Sequence, residues 1–181
     1  MARGEISRVV LGAGKWYLAE WTGGTIDLDA VAAEENFLGC TRGGATISYK
    51  PELHSIEDDT GLVRRTFMTC ASAEMKTGLL TFNMQSVHAL MSVGQLTQSA
   101  GKRVLKLGGG RSVLRRFCVA FVYEDADTGC RIRIGMVATN TSPLEFAFAK
   151  DEETVLEVTF KAESNGVDDT IVVIEEDVAQ V

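Results

Sequence analysis

A mainly β fold, a sandwich or barrel with one α-helix attached at its periphery, is what this sequence predicts, and three observations carry the prediction. Apolar and polar residues alternate with period two, most clearly where Ala45, Ile47 and Tyr49 interleave with Thr46, Ser48 and Lys50. Eighteen glycines stand against two prolines, a balance that suits tight turns between strands better than a linker-rich chain. Only one stretch has convincing helical spacing. The 181 residues favour a single domain over 1–181, and a chain of this length buries roughly 70% of its unfolded surface without staples.

The elements follow in order. Leu11-Gly12-Ala13-Gly14 leads into a first strand, Lys15–Trp21. Thr22–Leu38 is acidic and rich in small residues, and reads as a loop with a turn of helix. Gly43-Gly44 opens the alternating strand, and Ser55–Gly61 reads as a turn or long loop tip. The chain returns through Arg64–Lys76, which alternates weakly. The helix comes next: Asn83 caps it, Met84, Val87 and Met91 recur at i, i+3 and i+7, Leu90 widens the stripe, and Gly94 ends it. A methionine-bearing stripe at this spacing is core packing rather than a cofactor box, and His88 at its edge has no assigned role.

A short strand around Val104–Leu107 precedes the glycine run Gly108–Gly110. The strongest hairpin signal follows: Val113–Tyr123, a turn over Asp125–Gly129, then Cys130–Thr139. Its return strand sets Cys130, Ile132, Ile134 and Met136 on one face and Arg131 and Arg133 on the other. Thr154–Lys161 and Thr170–Glu175 flank a turn at Ser164-Asn165-Gly166. The total is about eight strands and one helix.

Charge is placed unevenly. Residues 151–181 hold ten acids against Lys161 alone, a balance of −9, whereas residues 1–150 stand at +2. An acidic chain repels nucleic acid unless a basic stripe overrides the average. Arg111, Arg115, Arg116, Arg131 and Arg133 make the hairpin locally basic among Phe117, Phe121 and Tyr123, but these bases split between the two strand faces. The hairpin is therefore expected to pair with the acidic C-terminal strands, within a subunit or across a boundary between subunits. A solvated acidic edge that aids solubility is the plainer alternative.

Other chemistry finds little support. The four cysteines form no CxxC pair and His54 and His88 lie far apart, so no metal ligands converge. No apolar run follows the polar start Met1 to Arg8, so reduced cysteines are expected, and no stretch approaches the roughly 18 apolar residues of a membrane span. Gly12-Ala13-Gly14-Lys15 and Gly108-Gly109-Gly110-Arg111 look like pieces of a phosphate loop but lead into strands, where no helical N–H groups face a phosphate. No base accompanies a nucleophile, and Glu57, Asp58 and Asp59 are adjacent acids on a loop tip that more often face water. No enzyme and no cofactor is expected.

A set of motifs runs in order from Leu11 to Lys161. It comprises Leu11-Gly12-Ala13-Gly14-Lys15-Trp16-Tyr17, Asn36-Phe37-Leu38-Gly39, and Gly43-Gly44-Ala45-Thr46-Ile47-Ser48-Tyr49. Ile56-Glu57-Asp58-Asp59-Thr60-Gly61, the helix after Thr81-Phe82-Asn83, Gly101-Lys102-Arg103-Val104, Leu144-Glu145-Phe146 and Thr159-Phe160-Lys161-Ala162 complete it. No single motif is specific, and the order carries the weight. In this the chain resembles the tail tube proteins of long-tailed phages and phage-like tails, relatives of type VI secretion inner-tube proteins.

The resemblance implies a tail-tube fold of β-sandwich type. Six subunits would close into a ring, and rings would stack into a hollow tube that conducts DNA or an effector without binding it specifically. The partners implied are further copies of the chain and other tail proteins, such as tape measure, tube-end and baseplate proteins. The location implied is the virion tail, after synthesis in the host cytoplasm. The long loop at about Pro51–Arg64 would make ring-to-ring contacts, which places Ser55, Ile56, Glu57, Asp58, Asp59, Thr60 and Arg64 at the interface.

Head-to-tail contact needs two complementary patches, for which Arg115, Arg131 and Arg133 face Glu157 and Glu175. Glu157, Glu175, Asp58 and Asp59 are also expected to contribute lumen or interface charge, since a conduit should not hold phosphates. Three other classes compete: a soluble β-sandwich binding module, a tube-capping or neck ring of similar fold, and an enzyme. Two tryptophans and three tyrosines are thin for a sugar-binding platform.

Overall fold

In this computed structural model the described residues are 14–57, 59, 64–91, 93–108, 114–125, 129–148, 150–151 and 153–177. Leu11, Gly12 and Ala13 of the opening motif, Asp58, Thr60, and the glycines and arginine at 109–111 lie outside them. In chain order the elements are β1 (Lys15–Glu20), α1 (Leu28–Val31), a 3-10 turn (Glu34–Asn36), β2 (Phe37–Gly39), β3 (Thr41–Glu57) and β4 (Arg64–Leu79). There follow α2 (Met84–Leu90), β5 (Gln95–Ser99), β6 (Lys102–Lys106), β7 (Phe117–Glu124), β8 (Arg131–Asn140), β9 (Leu156–Ala162) and β10 (Val173–Glu176). The fold is mainly β, as the alternation predicts.

One antiparallel sheet holds eight strands in the order β2-β1-β7-β8-β9-β4-β3, with β10 added beside β8. β8 changes partner along its second edge, meeting β10 over Ile132–Gly135 and β9 over Ala138–Asn140. The sheet therefore forks at β8. It also curls. β1 and β9 are separated by β7 and β8, roughly 14 Å in a flat sheet, yet the Trp16 ring stacks on Phe160 at 6.3 Å and meets Phe121 at 5.6 Å. Trp16, Leu18, Met75, Val119, Met136, Val158 and Phe160 fill the concave side.

α2 seals that core. Asn83 accepts from the N–H groups of Gln85 and Ser86, and its own N–H donates to Ser86 Oγ, so the orphan donors of the first turn are satisfied reciprocally. Val87 and Leu90 are fully buried, each contributing about 1.5–3 kcal/mol of apolar transfer. The helix closes at Leu90, one turn before Gly94. Asn140 Nδ2 donates to the Leu90 carbonyl at 3.0 Å and Arg115 to that of Met91 at 3.2 Å, which satisfies the last carbonyls by side chains instead.

The opposite face of β1, β7 and β8 is buried as well. α1 lays Leu28 and Val31 over Tyr17, Cys118 and Ala120, a second small core. Leu28 docks where β8 has Gly135, and a side chain there would collide with it. This is why β7 and the second half of β8 read as unbroken apolar runs: both of their faces are covered.

Three expectations are corrected. The stretch around Thr22–Leu38 holds the expected turn of helix as α1, held by the Asp27 side chain on Ala30 N–H, and adds the 3-10 turn and the start of β2, which were not expected. β5, too polar to show a strand signal, pairs with β6 as a separate two-stranded ribbon, which brings the described strands to ten. Pro51–Glu57 and Arg64 are not a loop: they belong to a single long hairpin, β3–β4.

Candidate assembly surface

β3 and β4 pair from Thr41 opposite Leu79 to Glu57 opposite Arg64. The outer neighbour of β4, β9, pairs with it only over Glu74–Leu79, which corresponds to β3 as far as Ser48. Beyond that point residues 49–57 and 64–73 pair with each other alone. At about 3.3 Å per residue this arm runs roughly 30 Å past the shared sheet. A two-stranded ribbon is marginal by itself in water, so an arm of this length gains from a partner. Pro51 lies on β3, an edge strand, the place in a sheet where proline is tolerated.

The register fixes what each arm face carries. Ala45 and Ile47 pack against the main core, and the same parity continues through Tyr49, Leu53, Ser55 and Glu57. Ala73, Met68, Thr66 and Arg64 lie opposite them on β4, with one extra residue, Thr69, in a bulge whose hydroxyl bonds Glu52 O at 3.2 Å. Tyr49 Oη reaches Met68 Sδ at 3.8 Å, and Ser55 Oγ lies 2.9 Å from Thr66 Oγ1. The core face of the hairpin thus runs on past the core as an uncovered apolar stripe, with Leu53 64% and Met68 60% exposed. The reverse face carries His54, Ile56, Arg65 and Phe67, and Cys70 bonds Glu52 there at 2.9 Å. At the arm's root, Tyr49, Ile171, Val172 and Ile174 line an open cleft of about 510 Å³.

Among the interface residues expected from the sequence, Ser55, Ile56, Glu57, Asp59 and Arg64 gather at the far end of the arm, all exposed. Asp58 and Thr60 fall outside the described residues. Arg133 and Glu175 also come together, but inside the subunit. The Arg133 side chain, only 14% exposed, has Asp177 at 2.8 Å, Asp29 at 3.4 Å and Glu175 at 3.9 Å. Arg131 pairs with Glu124 at 3.2 Å.

The remaining arginines are also occupied. Arg115 donates to His88 Nε2 at 3.0 Å and to the Met91 carbonyl. Arg116 donates to Ser164 O, and its Nε lies 2.9 Å from Glu163 but is not aligned for a hydrogen bond, so that contact is coulombic. The expected pairing of basic hairpin with acidic C-terminus therefore occurs within one chain, and Arg115, Arg131 and Arg133 are not a free basic patch. Glu157 stands apart from them on β9, exposed and opposite Gly78.

The charged cleft of about 610 Å³ lined by Lys15, Tyr17, Asp29, Glu34, Glu124 and the two arginines is internally compensated. Among the described residues no group of three or more His, Cys, Asp or Glu side chains has metal-binding geometry. Burial first, and the charge of Asp27 second, push the Cys118 thiol up to about 11, so it stays protonated at neutral pH. No helix among the described residues is long and apolar enough to cross a membrane.

Comparison with known protein families and with curated proteins found no match. Sequence reasoning found the returning strand from Arg64 but missed that Pro51–Glu57 continues β3 as its partner in the arm. Its exposed residues obey no burial pattern, and only the run of β-formers on either side of the turn signalled it.

Proposed function

We propose that this chain is a structural subunit that assembles with copies of itself into hexameric rings, which stack as the hollow tube of a phage or phage-like tail. The observation that carries the reading is the β3–β4 arm: about 30 Å of hairpin with both edges unpaired beyond Ser48 and Glu74 and an apolar stripe continuous with the core. Unpaired edges invite pairing with another chain, and a closed ring removes them. The ordered motifs of the sequence point to the same family.

In this reading the arm binds a neighbouring copy, the tube conducts DNA or an effector without gripping it, and the other partners are tail components met at its ends. The subunit acts in the virion tail, performs no catalysis and needs no cofactor. Replacing Leu53 and Met68 with glutamate tests the arm. Sedimentation velocity should show wild-type assemblies lost in the double variant while the subunit stays folded. Assemblies unchanged by the double substitution contradict the role given to the arm.

A further inference from the structure

One ring nitrogen in this protein has two partners that demand opposite things of it. His88, in the last turn of α2, holds Nε2 3.0 Å from Arg115 Nη2 and 3.4 Å from the Gly94 carbonyl oxygen. A guanidinium carries only N–H groups and can only donate, whereas a carbonyl oxygen can only accept. The Arg115 contact therefore requires a bare Nε2, with the ring proton on Nδ1. The Gly94 contact requires a proton on Nε2. Arg115 has the shorter distance, so the arrangement is that of the neutral ring protonated at Nδ1.

The same guanidinium nitrogen donates to the Met91 carbonyl at 3.2 Å, so its two hydrogens are spent on His88 and on the end of α2. Arg115 approaches β7, His88 belongs to α2, and Gly94 precedes β5, so the ring sits where three segments join. The charge around it has one sign. α2 and β5 hold no other ionisable side chain, and β6 brings Lys102, Arg103 and Lys106. Arg103 is tied to Gln98 Oε1 at 3.2 Å. The main core meets α2 through Val87 and Leu90, and β8 through Asn140 Nδ2 on the Leu90 carbonyl, none of them titratable. The sequence from Met75 to Tyr123 contains no acid that could bridge two cations.

We propose that His88 is a proton-operated switch at the carboxyl end of α2. Neutral, it accepts from Arg115, and Arg115 holds the Met91 carbonyl. Once a proton from solvent occupies Nε2, the ring donates to the Gly94 carbonyl instead. Imidazolium and guanidinium then face each other as like charges with no lone pair between them, so Arg115 leaves and the Met91 carbonyl is released. Acidification thus exchanges an α2–β7 tie for an α2–β5 tie. The device does not depend on the self-assembly reading.

Imidazole nitrogen NMR of the full chain tests it, read at about pH 8 and about pH 5, the interval over which histidine side chains change charge. His54 is the other histidine, and its signals are assigned from the His54→Gln variant. At the higher pH His88 should show a bare Nε2 and a protonated Nδ1. Arg115→Lys, which also only donates, should keep that tautomer. Arg115→Met, which donates nothing, should move the proton to Nε2. On acidification the carbonyl carbon signals of Met91 and Gly94 should shift in opposite directions, and His88→Gln should abolish both shifts. Amide signals of β7 and β8 report whether each variant is folded, and the wild-type tautomer decides even where a variant is not. A proton on Nε2 in the neutral wild type overturns the proposal. So does a ring still neutral at the lower pH, or carbonyl shifts that survive His88→Gln.

Discussion

Arg133 Nη1 donates to Asp177 Oδ1 at 2.8 Å, which ties the acidic end of the described chain to the middle of the central strand β8. Asp29 and Glu175 stand close to the same guanidinium, so one largely buried cation gathers three carboxylates, from α1, from β10 and from the residue after β10. Replacing Arg133 with leucine leaves those carboxylates without their counter-ion, and unfolding in urea should show a loss of about 1–3 kcal/mol. Asp177→Asn should cost less, about 1 kcal/mol, because two acids still face the arginine.

A second prediction concerns Gly135. Its missing side chain makes room for Leu28, so Gly135→Val should either expel α1 or strain β8. The expected destabilisation is about 1–3 kcal/mol, read from the urea midpoint at unchanged slope. Leu28→Ala alone should cost a similar amount, and the two changes together less than their sum, because they act on one contact.

Thiol reactivity offers a third check. Cys40 and Cys70 are exposed and Cys118 is buried. The hydrogen bond from Cys70 to Glu52, then a degree of burial and the carboxylate's charge, hold the Cys70 thiol above its ordinary value. At pH 8 a disulfide reagent should therefore modify Cys40 before Cys70, and Glu52→Gln should speed modification of Cys70 several-fold. Cys118 should react only when the chain unfolds.

Acid sensitivity should concentrate in the turn before β10. Asn165 Nδ2 and the Thr170 backbone N–H donate to Asp168, and these bonds hold its carboxyl below the usual carboxylate range. A carboxyl whose folded value is depressed contributes stability that is full above its unfolded value, near pH 4, and is lost as pH falls through the folded value. Amide exchange at Val167 and Thr170 should accordingly rise, relative to the rest of the sheet, as pH drops below about 4. Asp168→Asn should abolish that dependence.

How much of this was legible in the sequence depended on whether burial imposed a pattern. α2 was readable because Val87 and Leu90 meet one core while Asn83 and Ser86 supply a reciprocal cap. The β7–β8 hairpin was readable because its turn and its apolar runs are unambiguous, although Val137 and Cys118 betray two covered faces. Arg133 sat on a face that alternation marks as polar. Only the structure shows that α1 and the acidic end of the chain close over that face.

The arm's first strand, beyond Lys50, was hidden for the opposite reason. Leu53, Ile56, Phe67 and Met68 are all exposed in the single chain, so folding of one subunit selects no alternation there. β5, four of whose five residues are glutamine, serine or threonine, had the same defect. The sequence of one chain reports poorly on surfaces that its own folding leaves uncovered.

Electron microscopy of the purified protein in negative stain, across a concentration series, tests the self-assembly reading most directly. The account predicts rings with a central hole that stack into tubes as concentration rises, and their loss in Leu53→Glu/Met68→Glu. A uniform field of single subunits at every concentration would contradict it.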